Sequence, residues 1–97
     1  MDDLDLGCVA DLLVVIEEGS YRRAAVRLYR SPSALSRRIQ RLERQVGVPL
    51  LLRGPAGTVG ATAAGVAFAA EAVPLLDAAR TARKLAFGRS ATPRPSR

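Results

Sequence analysis

Ser33, Ser36, Arg37, Gln40 and Arg44 recur at intervals that a helix turns onto one side, just after the pair Ser31-Pro32. Their side chains are hydroxyls, an amide and guanidinium forks. Such groups hydrogen-bond to phosphate oxygens and to the edges of bases, with arginine suited to bidentate contact. The side that bears them carries no acid, and Glu43 lies nearer its edge. Other chemistries lack their residues. The chain has no His and one Cys, Cys8, so a Cys/His zinc site and an internal disulfide are excluded. No glycine-rich loop precedes a lysine, and no paired carboxylates fall on an expected concave surface. The chain is therefore not expected to be an enzyme, and no cofactor or metal is expected.

These residues need a scaffold, and the 97-residue chain has room for one domain. Aromatic residues are 4% against 48% apolar overall, so Ala, Val and Leu must build the core. Leu4 to Glu18 reads as a helix with Val9, Leu12, Leu13 and Ile16 on its buried side and Cys8 as a small apolar residue. Gly19 stops it and Ser20 caps a second, short helix from Tyr21 to Leu28, with Arg22, Arg23 and Arg27 outward. After a break at Tyr29-Arg30, Ser31 and Pro32 start a third helix. Leu35, Ile39, Leu42 and Val46 form its apolar stripe, and Gly47 ends it. Leu50-Leu51-Leu52 and Thr58-Val59 are expected as two short strands around a Gly/Pro turn. Thr62 caps a fourth helix to about Phe87, kinked at Pro74. The expected organisation is residues 1–61 as the domain, 62–87 as a linker helix and 88–97 as a disordered basic tail.

Charge follows the same plan. Net charge is −6 over residues 1–19, +8 over 20–53, −2 over 54–79 and +6 over 80–97, and 14 of the 15 basic residues are Arg. A basic block between acidic ones suggests a nucleic-acid face; a solvated charged surface is the bland alternative. The acidic N-terminus is the reverse of a signal peptide, and the 17 uncharged residues Gly54 to Ala70 are too weakly apolar to span a membrane. A cytoplasmic, nucleoid-associated protein is expected. A short helix, a tight turn and a polar-faced helix make a helix-turn-helix, whose second helix enters the major groove. An ordinary three-helix core with a charged surface shares the stripe.

The run Glu17-Glu18-Gly19-Ser20-Tyr21, Ala24-Ala25, Leu28, Ser31, Ser33 to Arg37, Ile39, Leu42-Glu43, Val46 to Leu50, Arg53 and Thr62 to Gly65 closely resembles the N-terminal DNA-binding domain of LysR-type transcriptional regulators. The resemblance covers about residues 4 to 80. It implies a mainly α, winged helix-turn-helix fold, with a three-helix core, a two-stranded wing and a long helix that pairs two subunits. It implies DNA contacts from Ser33, Ser36 and Arg37, and a backbone contact from Arg53 near the wing. The full DNA-binding set expected here is Ser20, Arg22, Arg23, Arg30, Ser31, Pro32, Ser33, Ser36, Arg37, Gln40, Arg41, Arg44 and Arg53. Val66, Ala69, Val73 and Leu76 are expected to dimerise. Three departures stand out. Pro32 replaces a usual base-reading Gln, Arg30 a usual apolar turn residue, and Gly54 to Ala61 is one residue longer, with no basic tip.

The family's C-terminal domain binds a small effector. None of it lies in these 97 residues, so no effector site is expected in this chain, which reads as a separate domain, a truncated product or a stand-alone short protein. The expected partner is double-stranded DNA, bound as a homodimer. The competing readings are an interaction module forming mixed dimers with full-length relatives, and a basic RNA binder. Scattered Tyr21, Tyr29, Phe68 and Phe87 offer no stacking platform for the latter.

Overall fold

The computed structural model describes residues 3–90. The elements are α1 (Leu6–Glu18), α2 (Tyr21–Leu28), α3 (Pro32–Val46), β1 (Leu51–Arg53), a 3-10 turn (Pro55–Gly57), β2 (Val59–Ala61) and α4 (Ala63–Ser90). The expected fold class, mainly helical with a two-stranded antiparallel wing, is borne out.

Capping sets the helix starts. Asp5 Oδ1 accepts from the N–H groups of Gly7 and Cys8 at 2.9 and 3.2 Å, so α1 begins at Leu6 rather than Leu4. Ser20 Oγ accepts from Arg23 N at 3.2 Å, and Ser31 Oγ from Ala34 N at 3.1 Å, with Pro32 in the first turn. Gly47 ends α3 at φ 98°, where a side chain would be strained.

The core is aliphatic. Cys8, Val9, Leu12 and Val15 of α1 meet Ala24 and Ala25 of α2, Leu35, Ile39 and Leu42 of α3, and Leu50 beyond it. Leu13, Ile16 and Val46, expected inside, pack against this core half-buried. The strands pair Leu51 with Ala61 and Arg53 with Val59. Both strands lie one to two residues beyond their expected positions: Thr58 closes the turn, its N donating to Pro55 O at 3.1 Å, and the backbone of Leu50 is held elsewhere. Leu50 N donates to Glu43 Oε2 at 2.7 Å, and Leu50 O accepts from Thr62 N at 3.0 Å. The wing is tied back to the first turn, where Val59 N donates to Gly19 O at 3.0 Å.

Thr62 links strand to helix. Its Oγ1 accepts from Gly65 N at 2.8 Å and donates to Pro49 O at 2.9 Å. Gly65 is buried against Leu50, and a Cβ there would overlap the Leu50 carbonyl oxygen. The helix then runs as one element through Pro74 to Ser90. Gly88 to Ser90 are thus helical rather than part of a disordered tail, and residues 91–97 of that expected tail lie outside the described residues. At 1.5 Å per residue α4 is about 42 Å long, which draws the molecule out to 58 × 28 × 21 Å. No described helix is long and apolar enough to cross a membrane.

Candidate nucleic-acid interface

Helix α3 carries two rows of side chains. The inner row is Leu35, Ile39, Leu42 and Val46, the first three fully buried. The outer row is Ser33, Arg37, Gln40 and Arg44, all exposed. Each outer residue precedes its inner counterpart by two positions, or about 200° around the helix. Burying the apolar row therefore turns the hydrogen-bonding row to solvent. Ser36 is half-buried beside it.

The basic residues divide by what holds them. Arg22, Arg37 and Arg44 are exposed and have no ion-pair partner among the described residues. Arg53 is exposed on β1, with its guanidinium carbon 5.0 Å from the centroid of the Tyr21 ring. Other arginines are engaged. Arg23 donates to Glu18 O at 2.6 Å, and Arg27 meets Glu17 at 2.5 Å and Glu18 at 3.1 Å. These carboxylates hold the Arg27 pKa above its usual value. Arg41 lies 4.0 Å from Asp5. Arg30 and Arg38 both reach Asp11, at 3.4 and 2.5 Å.

The expected contact residues are placed accordingly. Ser31, Pro32 and Ser33 are exposed at the start of α3, with Ser31 Oγ used in the cap. Ser20 is buried and its Oγ serves the α2 cap, which gives it a structural role. Arg30 is pulled toward α1 by Asp11 rather than pointing freely from the turn. On α4, Val66 and Val73 are 61% and 51% exposed and Ala69 is half-buried between them. Leu76 differs. It is buried in its own protomer, beside a hollow it shares with Leu13 and Ile16 of α1.

Three positioning groups escaped the sequence reading. Asp11 is 4% exposed on the inner side of α1. It falls in line with Cys8, Leu12 and Val15, and an acid in an apolar row signals a buried partner. That partner, Arg38, sits in the matching row of α3 with Leu35 and Leu42, and Asp11 raises its pKa. Glu43 Oε2 accepts from both Leu50 N and Leu51 N, at 2.7 and 3.1 Å, and so fixes the wing to α3. Tyr21, under Arg53, had no local signal.

Residues 9–66 match the family described as bacterial regulatory helix-turn-helix protein, lysR family. The chain belongs to the lysR family. The match takes in the lysR-type helix-turn-helix of α2 and α3 and the wing that follows. Among relatives, the transcriptional regulator LysG of Mycobacterium tuberculosis (strain ATCC 25618 / H37Rv) is 50% identical over 50 residues, 52% of this chain and 16% of that protein. AbaB of Streptomyces antibioticus is 41% identical over 75 residues, 77% of this chain and 25% of that protein. The lysR-type chain thus spans a quarter or less of the length of these relatives. Among solved structures, the crystal structure of the BenM_DBD/catB site 1 DNA complex superposes with a TM-score of 0.83 at 30% identity, over 94% of this chain and all of that one. The chain is thus a lysR-type helix-turn-helix DNA-binding domain.

Proposed function

We propose that this domain binds double-stranded DNA sequence-specifically as a transcriptional regulator module, with α3 in the major groove. The observation that carries this is the outer row of α3. Ser33, Arg37, Gln40 and Arg44 are exposed together, and both arginines lack an acid partner among the described residues. An exposed, uncommitted fork suits guanine or phosphate. The similar BenM fold in its DNA complex supports the same partner. Val66 and Val73, exposed one above the other on α4, support pairing with a second copy through that helix, with Ala69 between them. A homodimer would set two recognition helices on one side of the duplex, a helical turn or a multiple apart.

The test is selection of bound duplexes from a random DNA pool with the purified 97-residue chain at near-physiological salt. Enrichment of an interrupted inverted repeat is the expected result. Binding without enrichment would reduce the function to gripping the backbone. Pro32 favours one second reading, because an exposed proline at the first turn of α3 supplies no side-chain donor to a base. In that reading the chain acts chiefly through mixed dimers with full-length relatives. It predicts no duplex binding and co-purification of a full-length partner in equal amount.

A further inference from the structure

Tyr21 opens α2 under the end of β1 and is 9% exposed. Its hydroxyl is the buried side-chain polar atom left without a hydrogen-bond partner among the described residues. A donor left unmade inside a fold is costly, and native folds seldom leave one. The polar groups that face this hydroxyl are Arg53, Glu43 and Ser36. Glu43 is already committed to the backbone of Leu50 and Leu51. Arg53 has donors only. At this seam between α2, α3 and β1 a guanidinium and two hydroxyls stand beside that engaged carboxylate, and a further anionic acceptor would complete their donors.

A phosphodiester oxygen is such an acceptor. We infer that Tyr21, Ser36 and Arg53 form a single backbone-phosphate site in which the Tyr21 hydroxyl is a concealed donor. Access runs through Arg53. Its side chain is exposed, and a cation resting on a ring at an exposed site is held only weakly. Turning toward phosphate, the guanidinium lifts from the ring and opens the hydroxyl to the same anion. Burial raises the phenol pKa against the opposing charge of Arg53, so the group remains a protonated donor at neutral pH. The site explains why a hydroxyl is kept where phenylalanine would satisfy the packing. It rests on the DNA-binding reading above.

The experiment compares the parent chain with Tyr21→Phe, Arg53→Ala and the double variant. Binding to a labelled random-sequence duplex is followed by fluorescence anisotropy across a salt series, and each chain is melted. Tyr21→Phe is expected to melt no lower than the parent, because it removes an unsatisfied group, yet to bind about tenfold more weakly. Its salt dependence should match the parent, since a neutral donor displaces no counterion, while the Arg53→Ala slope falls by about 0.9. The double variant should bind like Arg53→Ala, as two groups on one phosphate are not additive. Duplex binding by Tyr21→Phe within twofold of the parent overturns the site and leaves the DNA reading standing. A melting point several degrees below the parent also overturns it, since the hydroxyl would then have a partner in the free fold. A parent chain that binds no duplex overturns both.

Discussion

Arg38 Nε donates to the Asp11 carboxylate at 2.5 Å, with only 5% of the Asp11 side chain exposed, and this pair locks the orientation of α3 against α1. The two partners are not equivalent. Asp11 is buried, whereas Arg38 is 28% and Arg30 37% exposed. Arg38→Leu leaves a buried carboxylate with Arg30 alone and is expected to cost about 1–3 kcal/mol. Asp11→Ala frees two cations that can reach water and should cost less. The combined Asp11→Leu/Arg38→Met replacement should recover most of the loss, because an apolar pair avoids desolvation. Urea denaturation of the three variants measures the order.

Arg37 is the test of the docking geometry. It is exposed and has no ion-pair partner among the described residues, so Arg37→Ala should keep the fold and weaken specific DNA binding by about 1–3 kcal/mol. Arg83 on the distal part of α4 is also exposed and serves as the control, with Arg83→Ala expected to bind like the parent. If the two variants behave the other way round in anisotropy titrations, the contact surface is the C-terminal helix. The sorting of arginines also sets the salt dependence. Sequence alone suggests roughly five phosphates per protomer, a slope near −4.5. With Arg22, Arg37, Arg44 and Arg53 as the uncommitted cations on α2, α3 and β1 among the described residues, about four phosphates and a log–log slope near −3.6 are expected.

Gly65 is required by space. A Cβ at this position overlaps the carbonyl oxygen of Leu50, and backbone cannot step aside as a flexible side chain can. Gly65→Ala should lift the first turn of α4 from the Leu50 backbone that leads into β1 and cost about 1–3 kcal/mol. A drop of several degrees or more in the melting midpoint is the expected signal. The exposed Gly88, with open space around it, is the control, and Gly88→Ala should leave the midpoint unchanged or raise it slightly.

Asp5 sets the acid limit of α1. The backbone hydrogen bond from Cys8 lowers its pKa most, with smaller help from Gly7 and the charges of Arg38 and Arg41 against some desolvation. Because the folded pKa lies below the unfolded value of about 3.9, the cap contributes fully above that value. Its contribution fades as pH falls toward the folded pKa and is absent below it. The parent should therefore lose melting temperature more steeply than Asp5→Asn when pH is lowered from about 5 to below 4. Parallel thermal melts across that range check the sign, and equal slopes would exclude Asp5 as a source of the acid sensitivity.

Much of this molecule is decided locally. Ser20, Ser31-Pro32, Gly19 and Gly47 mark helix ends through hydrogen bonds and backbone angles that need only near neighbours, so α2 and α3 are legible from residue order. The outer row of α3 follows from the inner one by helical period alone. What needed the tertiary structure was every relationship between elements. Asp11 and Arg38 are 27 residues apart and meet only when α1 and α3 pack. β1 starts one residue beyond the expected strand because Glu43 and Thr62 claim the backbone of Leu50. Leu76 looked like a pairing residue by spacing and is buried in its own domain, since α4 lies along α1 before it leaves the core. Charge shows the same division. Composition counts the arginines, but only packing decides which of them already hold a carboxylate and which remain for another anion, because ion pairs form across distances that residue order does not measure.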